Sequence, residues 1–281
     1  MSIKEGLSHR FNAVRVITKR ESKSTFIYGI GVYLAIFVSL LISSLILKNY
    51  LEGIKDKGML MMSDALNYPL YITALISSFY LALISSLSIS REKDHHTIEV
   101  LFYGPIDYTS FVIAKYINAV FAYLVMVLFF LVYFFLISFL TNFAFSFNFA
   151  KLIILSIFLA SCMISFGLFL SSLTTRIRSS IILLISITLG FFAVQILYGI
   201  LGNTKPELLS TPLLYLKNII QVVYVWCIQW ISPFSYFDRG LKAVSLGIYR
   251  DYGISIASSF VYSAIMILLS IFILKKKGIV K

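Results

Sequence analysis

Charge and cysteine are both scarce in this chain. Only 13% of its 281 residues are Asp, Glu, Lys or Arg, against about 25% in an ordinary soluble domain. So few charged side chains cannot coat a soluble domain in which 59% of the residues are apolar. Two cysteines, one of them Cys162 inside an apolar stretch, exclude a secreted scaffold held together by disulfide bonds. The composition is instead typical of an all-α protein that crosses a membrane several times.

Six almost uncharged stretches are long enough to cross a bilayer as helices, which takes about 20 residues. Within a single domain covering residues 1–281, we predict spans at residues 26–47, 69–90, 111–140, 152–173, 181–201 and 253–274. The third is longer than a bilayer requires, so its first turns are expected to leave the membrane and Lys115 to extend toward water. None of the six contains Asp, Glu, Arg or His. Their absence argues against a proton-coupled carrier or a charge-selective channel.

A seventh apolar stretch, residues 208–237, is interrupted by prolines and carries the interface residues Trp226 and Trp230. Six spans place both termini in the cytoplasm, together with most of the basic loop residues. A seventh span would place the Lys-rich tail, residues 275–281, outside, against the positive-inside rule. We therefore predict a multi-pass plasma-membrane protein with interfacial or re-entrant helices in an extracellular segment, residues 202–252.

The N-terminal segment, residues 1–25, carries an apolar stripe at helical spacing: Ile3, Leu7, Phe11 and Val14. Basic residues lie away from this stripe, which is typical of an amphipathic interfacial helix on the inner leaflet. A signal for membrane topology is the simpler interpretation. An arm that also braces a cytoplasmic partner is the alternative.

Motifs for nucleotide and metal chemistry are missing. No phosphate-binding loop of the form G-x-x-x-x-G-K-(S/T) occurs, so the chain is not expected to hydrolyse a nucleotide by itself. We predict no catalytic residue, no metal site and no cofactor. His95 and His96 are neighbours that point in different directions on a helix, so a solvated loop explains them better than a metal site. If the chain is a transporter that uses neither an ion gradient nor a nucleotide site of its own, another protein must supply the energy.

The predicted cytoplasmic loop at residues 91–110 contains a short amphipathic helix at about Thr97–Tyr103. Its apolar residues Ile98, Leu101 and Phe102 share one face. Gly104 and Pro105 end the helix, and Asp107 can cap the next one. Such a helix is suited to sit in a groove on another protein and to pass a displacement to the spans. An ordinary helical connector is the alternative.

This loop resembles the coupling-helix segment of permease subunits of ABC-2 type transporters. Their pattern is E-(K/R)-x-x-x-T-x-E-x-L-x-x-x-P-(I/V), followed by a Lys that opens the third span. The matching residues are Glu92, Lys93, Thr97, Glu99, Leu101, Pro105, Ile106 and Lys115. His95-His96 stands where many relatives have Arg-Gly or Lys-Gly, and Phe102-Tyr103-Gly104 replaces small polar residues.

A second stretch, Ser232–Val244, resembles the motif S-P-x-x-(H/Y)-F-(D/E)-x-x-x-(K/R)-G-V that precedes the last span in the same superfamily. It is most similar to the branch that includes gliding-motility and nitrous-oxide-reductase-maturation permeases. The resemblance implies a half-transporter: two permease chains form a homo- or heterodimer, and each docks to a separate ATPase subunit that binds ATP and Mg²⁺. The usual outcome is export of a substrate.

The resemblance also implies roles for residues of this chain. The contact with the ATPase would involve Glu92, Lys93, Thr97, Glu99, Leu101, Gly104, Pro105 and Asp107, with Lys19, Arg20 and Lys23 of the N-terminal arm in the same groove. Ser77, Ser78 and Gln195 would line a pathway toward the second chain, although interhelical packing is the simpler explanation of such side chains. An extracellular gate would consist of Pro233, Phe237, Asp238 and Arg239.

Two other functions stay open from the sequence. One is a non-transporting membrane scaffold that anchors a cytoplasmic ATPase or a maturation factor. The other is an ion-coupled secondary transporter, which would require a charged residue such as Lys115 or Arg239 at membrane depth.

Overall fold

The computed structural model describes residues 12–19, 29–57, 66–103, 107–141, 146–204 and 211–277. Apart from short turns, all of these residues are helical, which confirms the all-α prediction. Helix α1 occupies residues 12–19. The others are α2 (Ile30–Lys57), α3 (Asn67–Asp94), α4 (Thr97–Tyr103), α5 (Tyr108–Thr141), α6 (Phe147–Leu173), α7 (Ile177–Asn203), α8 (Thr211–Val223), α9 (Gln229–Ile231), α10 (Pro233–Ser245) and α11 (Tyr249–Lys277), with a π-helical turn at Tyr224–Ile228.

Seven of the described helical segments are long and apolar enough to cross a membrane. Six of them, α2, α3, α5, α6, α7 and α11, coincide with the predicted spans. The seventh, Pro212–Ile231, lies where the sequence predicts interfacial or re-entrant helices, so helix length does not confirm a count of six spans. Helix α2 runs past its predicted end because charged residues can continue a helix into water, where Lys48 pairs with Glu52 at 3.6 Å.

Helices α3 and α6 form the centre of the bundle and run in the same direction. A Cβ added at Gly167 of α6 would lie 2.4 Å from the carbonyl oxygen of Ala82 in α3. Only glycine allows the two backbones to approach this closely. Helices α2, α5 and α7 pack around α3, and α10 and α11 pack against α6. We call the end of the bundle at Asp94 and Leu173 the α4 end, and the opposite end, at Phe147 and Ser245, the α10 end.

Helix α10 lies against the interior of the bundle, well below the α10 end. A Cβ at Gly240 would be 2.5 Å from the Leu155 side chain of α6. Leu155 follows Phe147, the first residue of α6, by eight positions, which is about 12 Å along the helix. Almost all of the first turns of α10 are buried. The charged motif Asp238-Arg239 is therefore carried at this depth rather than on the rim.

The turn at Ser232, between α9 and α10, lies deeper still. The ring of Phe234 is 4.8 Å from that of Phe192, close to the middle of α7. The ring of Tyr236 is 5.5 Å from that of Tyr262, close to the middle of α11. The chain thus turns at Ser232 about halfway along its neighbours, and α10 returns to the α10 end.

Candidate functional site

The end of α3 carries a buried ion pair with α5. Lys115 Nζ lies 3.0 Å from Glu92 Oε1, donates to the carbonyl of Ser88 at 3.0 Å, and sits 4.9 Å from the ring centroid of Phe111. The side chains of Lys115 and Glu92 are 2% and 14% exposed. The expectation that Lys115 extends toward water is wrong, because Glu92 supplies the opposite charge within the bundle.

The residue after Glu92 connects α3 to the end of α6. Lys93 Nζ donates to the carbonyl of Ser172 at 2.6 Å and to that of Thr174 at 3.0 Å. The last carbonyls of a helix have no partner within the helix and carry partial negative charge. A lysine in this position satisfies two of them and holds the C-terminus of α6 against α3.

The next residue connects α3 to the start of α7. Asp94 Oδ2 accepts a hydrogen bond from the backbone N–H of Ile177 at 3.4 Å. An acidic side chain there satisfies a free N–H and opposes the positive end of the helix dipole. Glu92, Lys93 and Asp94 therefore bind, in order, to α5, α6 and α7. We call these three residues and their contacts the junction.

A layer of serines supports the junction one turn further into the bundle. Ser171 Oγ of α6 accepts from the backbone N–H groups of Ile89 at 3.1 Å and Ser90 at 2.8 Å. Ser180 Oγ of α7 donates to the carbonyl of Ser86 at 2.6 Å. Sequence reasoning missed Ser171 and Ser180, because serine is frequent in all the spans and only helix pairing reveals which hydroxyl meets a backbone group.

Helix α4 follows the junction and occupies the predicted residues, Thr97–Tyr103. Its apolar stripe packs against the chain's own core, and the ring of Phe102 lies 4.3 Å from that of Tyr108. The opposite side points outward: Tyr103 is 87% exposed. The stripe therefore attaches α4 to the bundle, and the other side of α4 is left for any partner.

The turn between α3 and α4 has an unusual backbone. His96 has φ of +55°, in the left-handed region that favours glycine. This position follows the helix C-cap, where glycine is the common choice. Histidine occupies this conformation at some cost, which a glycine would avoid.

The other predicted contact residues surround this turn. Thr97 Oγ1 donates to the carbonyl of Glu92 at 3.2 Å, which ties α4 to the junction. Glu99 and Leu101 are half-buried, and Asp107 is exposed, with its carbonyl accepting from the N–H of Phe111 at 3.0 Å in the first turn of α5. Lys19 is exposed on α1. Gly104, Pro105, Arg20 and Lys23 lie outside the described residues, as do Ile3, Leu7 and Phe11 of the arm.

The predicted pathway residues lie on α3 and α7. Ser77 and Ser78 are fully buried within a single chain, and their hydroxyls donate to carbonyls of their own helix, those of Thr73 at 2.7 Å and Leu75 at 2.9 Å. Gln195 is half-buried on α7. The burial of the two serines favours the packing interpretation, and the pathway stays a prediction.

The predicted gate residues all lie on α10. Pro233 and Phe237 are buried, and Phe237 stacks on Tyr71 of α3 at 4.7 Å. Asp238 accepts a hydrogen bond from Lys242, and the two side chains form an ion pair at 2.8 Å. Arg239 lies over the ring of Trp230 at 5.3 Å.

A known protein family covers almost the whole chain. The family described as ABC-2 family transporter protein matches residues 13–279, which include the junction, α4 and α10. No curated protein matches the chain. Members of this family are transmembrane subunits and not themselves ATPases. The match confirms the resemblance seen in the two motifs: the chain is a multi-pass membrane protein that belongs to the ABC-2 transporter family.

Proposed function

We propose that this chain is the permease subunit of an ABC exporter, and that a separate ATPase subunit docks on α4 and moves the spans through the junction. The observation that carries the proposal is the attachment of Glu92, Lys93 and Asp94 to three different helices. A displacement of α4 would therefore reach α3, α5, α6 and α7 together. A simple connector between α3 and α5 would need contacts with those two helices alone.

Charge supports a cytoplasmic α4 end. Arg91, Arg176, Arg178, Lys275 and Lys276 are exposed there, and basic residues next to spans favour the cytoplasmic side. The carboxylates of Glu92 and Asp94, by contrast, are bound within the junction. The face offered to an ATPase thus combines exposed arginines with the exposed ring of Tyr103. Exposed aromatic and arginine side chains are the residues that most often anchor protein interfaces.

We also infer that α8 to α10 form a re-entrant hairpin rather than a seventh span. Pro212–Ile231 is long enough to cross, but Ser232, directly after it, lies about halfway along α7 and α11. Helix α10 then returns to the end from which the segment came. This interpretation leaves six crossings and places both termini on the side of α4.

Thiol labelling tests the hairpin. A cysteine at Leu246, which is 71% exposed at the α10 end, should react with a membrane-impermeant reagent added outside intact cells. A cysteine at Lys275 should react only after the membrane is opened. The background variant replaces Cys227 with Ser so that only the buried Cys162 remains. Labelling of both cysteines from the same side would mean that α11 does not cross the membrane. The reversed pattern, with Lys275 reached from outside and Leu246 only after the membrane is opened, would refute the proposed topology.

Copurification tests the docking. ATP hydrolysis that copurifies with the tagged chain should fall by about tenfold on Tyr103→Ala, since a central aromatic anchor is often worth 1.4 kcal/mol or more. Tyr249→Ala is the matched control, because Tyr249 is 72% exposed at the opposite end. Equal ATPase recovery from both variants would refute docking on α4. Bound ATPase whose turnover ignores the permease would support the scaffold function instead.

A further inference from the structure

Arg239 carries a charge that no carboxylate among the described residues neutralises. Within the described residues, no carboxylate lies within ion-pair distance of its guanidinium. Its contacts are one long hydrogen bond to the carbonyl of Gln229, at 3.5 Å, and the rings of Trp230 at 5.3 Å and Tyr236 at 6.0 Å. A guanidinium has five N–H donors arranged to bind carboxylate or phosphate. Within the described part of the chain, one hydrogen bond uses these donors.

The depth of Arg239 makes this charge costly. Its neighbour Gly240 packs on Leu155, about 12 Å from the start of α6. Helix α6 has 27 residues, and a helix of this length, about 40 Å, exceeds a 30 Å hydrocarbon core by about 5 Å at each end. The backbone at Arg239 thus lies within the outer part of the hydrocarbon. Charges at membrane depth normally face a partner or a pathway.

The surroundings of Arg239 are polar on one side and apolar on the other. Lys242 and Asp238 pair one turn apart, so with Arg239 this part of α10 keeps one net positive charge. Trp226, Trp230 and Ile231 on the other limb of the hairpin are 77%, 53% and 49% exposed. The site therefore offers a cation beside an open apolar surface at lipid level.

We propose that Arg239, with Lys242, binds the anionic head group of an amphiphile, whose apolar part lies along the hairpin at Trp226 and Trp230. The proposal rests on the proposed function, because it takes α10 to dip into the membrane. A soluble anion does not suit a site flanked by exposed apolar side chains within the hydrocarbon. Proton coupling does not suit it either, since an arginine keeps its charge at all physiological pH values.

Tryptophan fluorescence tests this directly, because Trp226 and Trp230 are the only two tryptophans in the sequence. A Trp226→Phe variant leaves Trp230, in contact with Arg239, as the sole reporter. The purified chain in micelles is titrated with brominated phosphatidylglycerol or brominated phosphatidylcholine carrying identical acyl chains. We expect the anionic lipid to quench at about a tenfold lower mole fraction, since charge-assisted hydrogen bonds are the strong ones.

Charge variants complete the test. Arg239→Gln should abolish the preference for phosphatidylglycerol, and Arg239→Lys should retain most of it and show that the fold is intact. Lys48→Gln removes an exposed charge at the same end of the bundle and should leave the preference unchanged. Equal quenching by both lipids, or an unchanged preference in Arg239→Gln, overturns the proposal. Displacement of the brominated phosphatidylglycerol by millimolar glycerol phosphate would assign the site to a soluble anion. It would overturn the proposal that the ligand is an amphiphile.

This experiment is independent of the ATPase. Loss of docking on α4 would refute the proposed function and leave lipid quenching unchanged. Uniform quenching in a chain that still couples to an ATPase would refute only the lipid site at Arg239.

Discussion

The junction and Arg239 differ in how the chain treats their charges. At the α4 end, Glu92, Lys93 and Asp94 each bind another helix of the same chain. At the α10 end, Arg239 has no carboxylate within ion-pair distance among the described residues. Charges satisfied within the chain hold helices together and can transmit a displacement. A charge left without its counter-ion is available to a ligand that binds and leaves. The junction is therefore suited to passing on a displacement, and Arg239 is suited to binding a ligand.

The largest effect is expected when one partner of the buried pair between Glu92 and Lys115 is removed. Glu92→Gln leaves Lys115 charged and almost fully buried, which typically costs about 3–5 kcal/mol. Arg239→Gln removes a charge that has no carboxylate partner among the described residues, and should cost less than about 1 kcal/mol. Thermal unfolding of each variant in micelles, followed by fluorescence-detected size exclusion, gives the order.

A double variant separates lost charge from lost packing. Glu92→Gln combined with Lys115→Met leaves no buried charge, and should recover most of the stability lost in Glu92→Gln alone. If Glu92→Gln is no less stable than Arg239→Gln, the pair at the α4 end is not a structural element and the contrast between the junction and Arg239 fails.

Alanine substitutions at three glycines compare how tightly the centre of the bundle, α10 and α7 are packed. Gly167→Ala places a Cβ 2.4 Å from a backbone carbonyl, so α3 and α6 must separate, and we expect a loss of about 2–3 kcal/mol. Gly240→Ala meets only the Leu155 side chain at 2.5 Å, which can change rotamer, so about 1 kcal/mol is expected. Gly190→Ala on α7 meets nothing within 4 Å and should be neutral or stabilising. The same unfolding assay measures all three, and a Gly240 effect as large as that of Gly167 would mean that α10 is packed as rigidly as the centre.

The sequence predicted features that depend on neighbouring residues. The helical spacing of apolar residues and the Gly-Pro pair that follows them predicted α4 at Thr97–Tyr103. The length of the uncharged stretches predicted the spans. Prolines and tryptophans in residues 208–237 indicated an interruption, whereas the depth of the Ser232 turn required the packing of Phe234 and Tyr236 on other helices.

The misses share one physical reason: they are contacts between helices far apart in the chain. Glu92 and Lys115 are 23 positions apart, and their pairing requires α3 and α5 to be adjacent at a particular register. Ser171 meets Ile89 across 82 positions, and no local pattern distinguishes it from Ser172. Motif resemblance identified Glu92 and Lys115 as notable, but only the fold shows that they bind each other.

A smaller loss of stability is expected at Ser171 in the serine layer, and the neighbouring Ser172 provides the control. Ser171→Ala removes the acceptor of two buried N–H groups of α3, which should cost about 1–2 kcal/mol. Ser172 is equally buried, but its hydroxyl donates to the carbonyl of Phe169 in its own helix at 2.7 Å. Ser172→Ala should therefore cost less than about 0.5 kcal/mol. Equal losses in the unfolding assay would show that the contact between α3 and Ser171 does not contribute to the rigidity of the α4 end.

The smallest change in stability is expected at the two turns that follow α3 and α10. His96 has φ of +55° after α3, and Gly247 has φ of +71° after α10. Because glycine adopts this conformation without strain, His96→Gly should stabilise the chain by roughly 0.5–1 kcal/mol, less the entropy that glycine adds to the unfolded state. Gly247→Ala should destabilise it by about 1 kcal/mol for the same reason. Opposite shifts in the unfolding midpoint would show that the α4 end alone keeps a strained turn, beside the surface proposed for the ATPase. A loss of stability in His96→Gly would instead mean that the histidine side chain contributes a contact of its own to that surface.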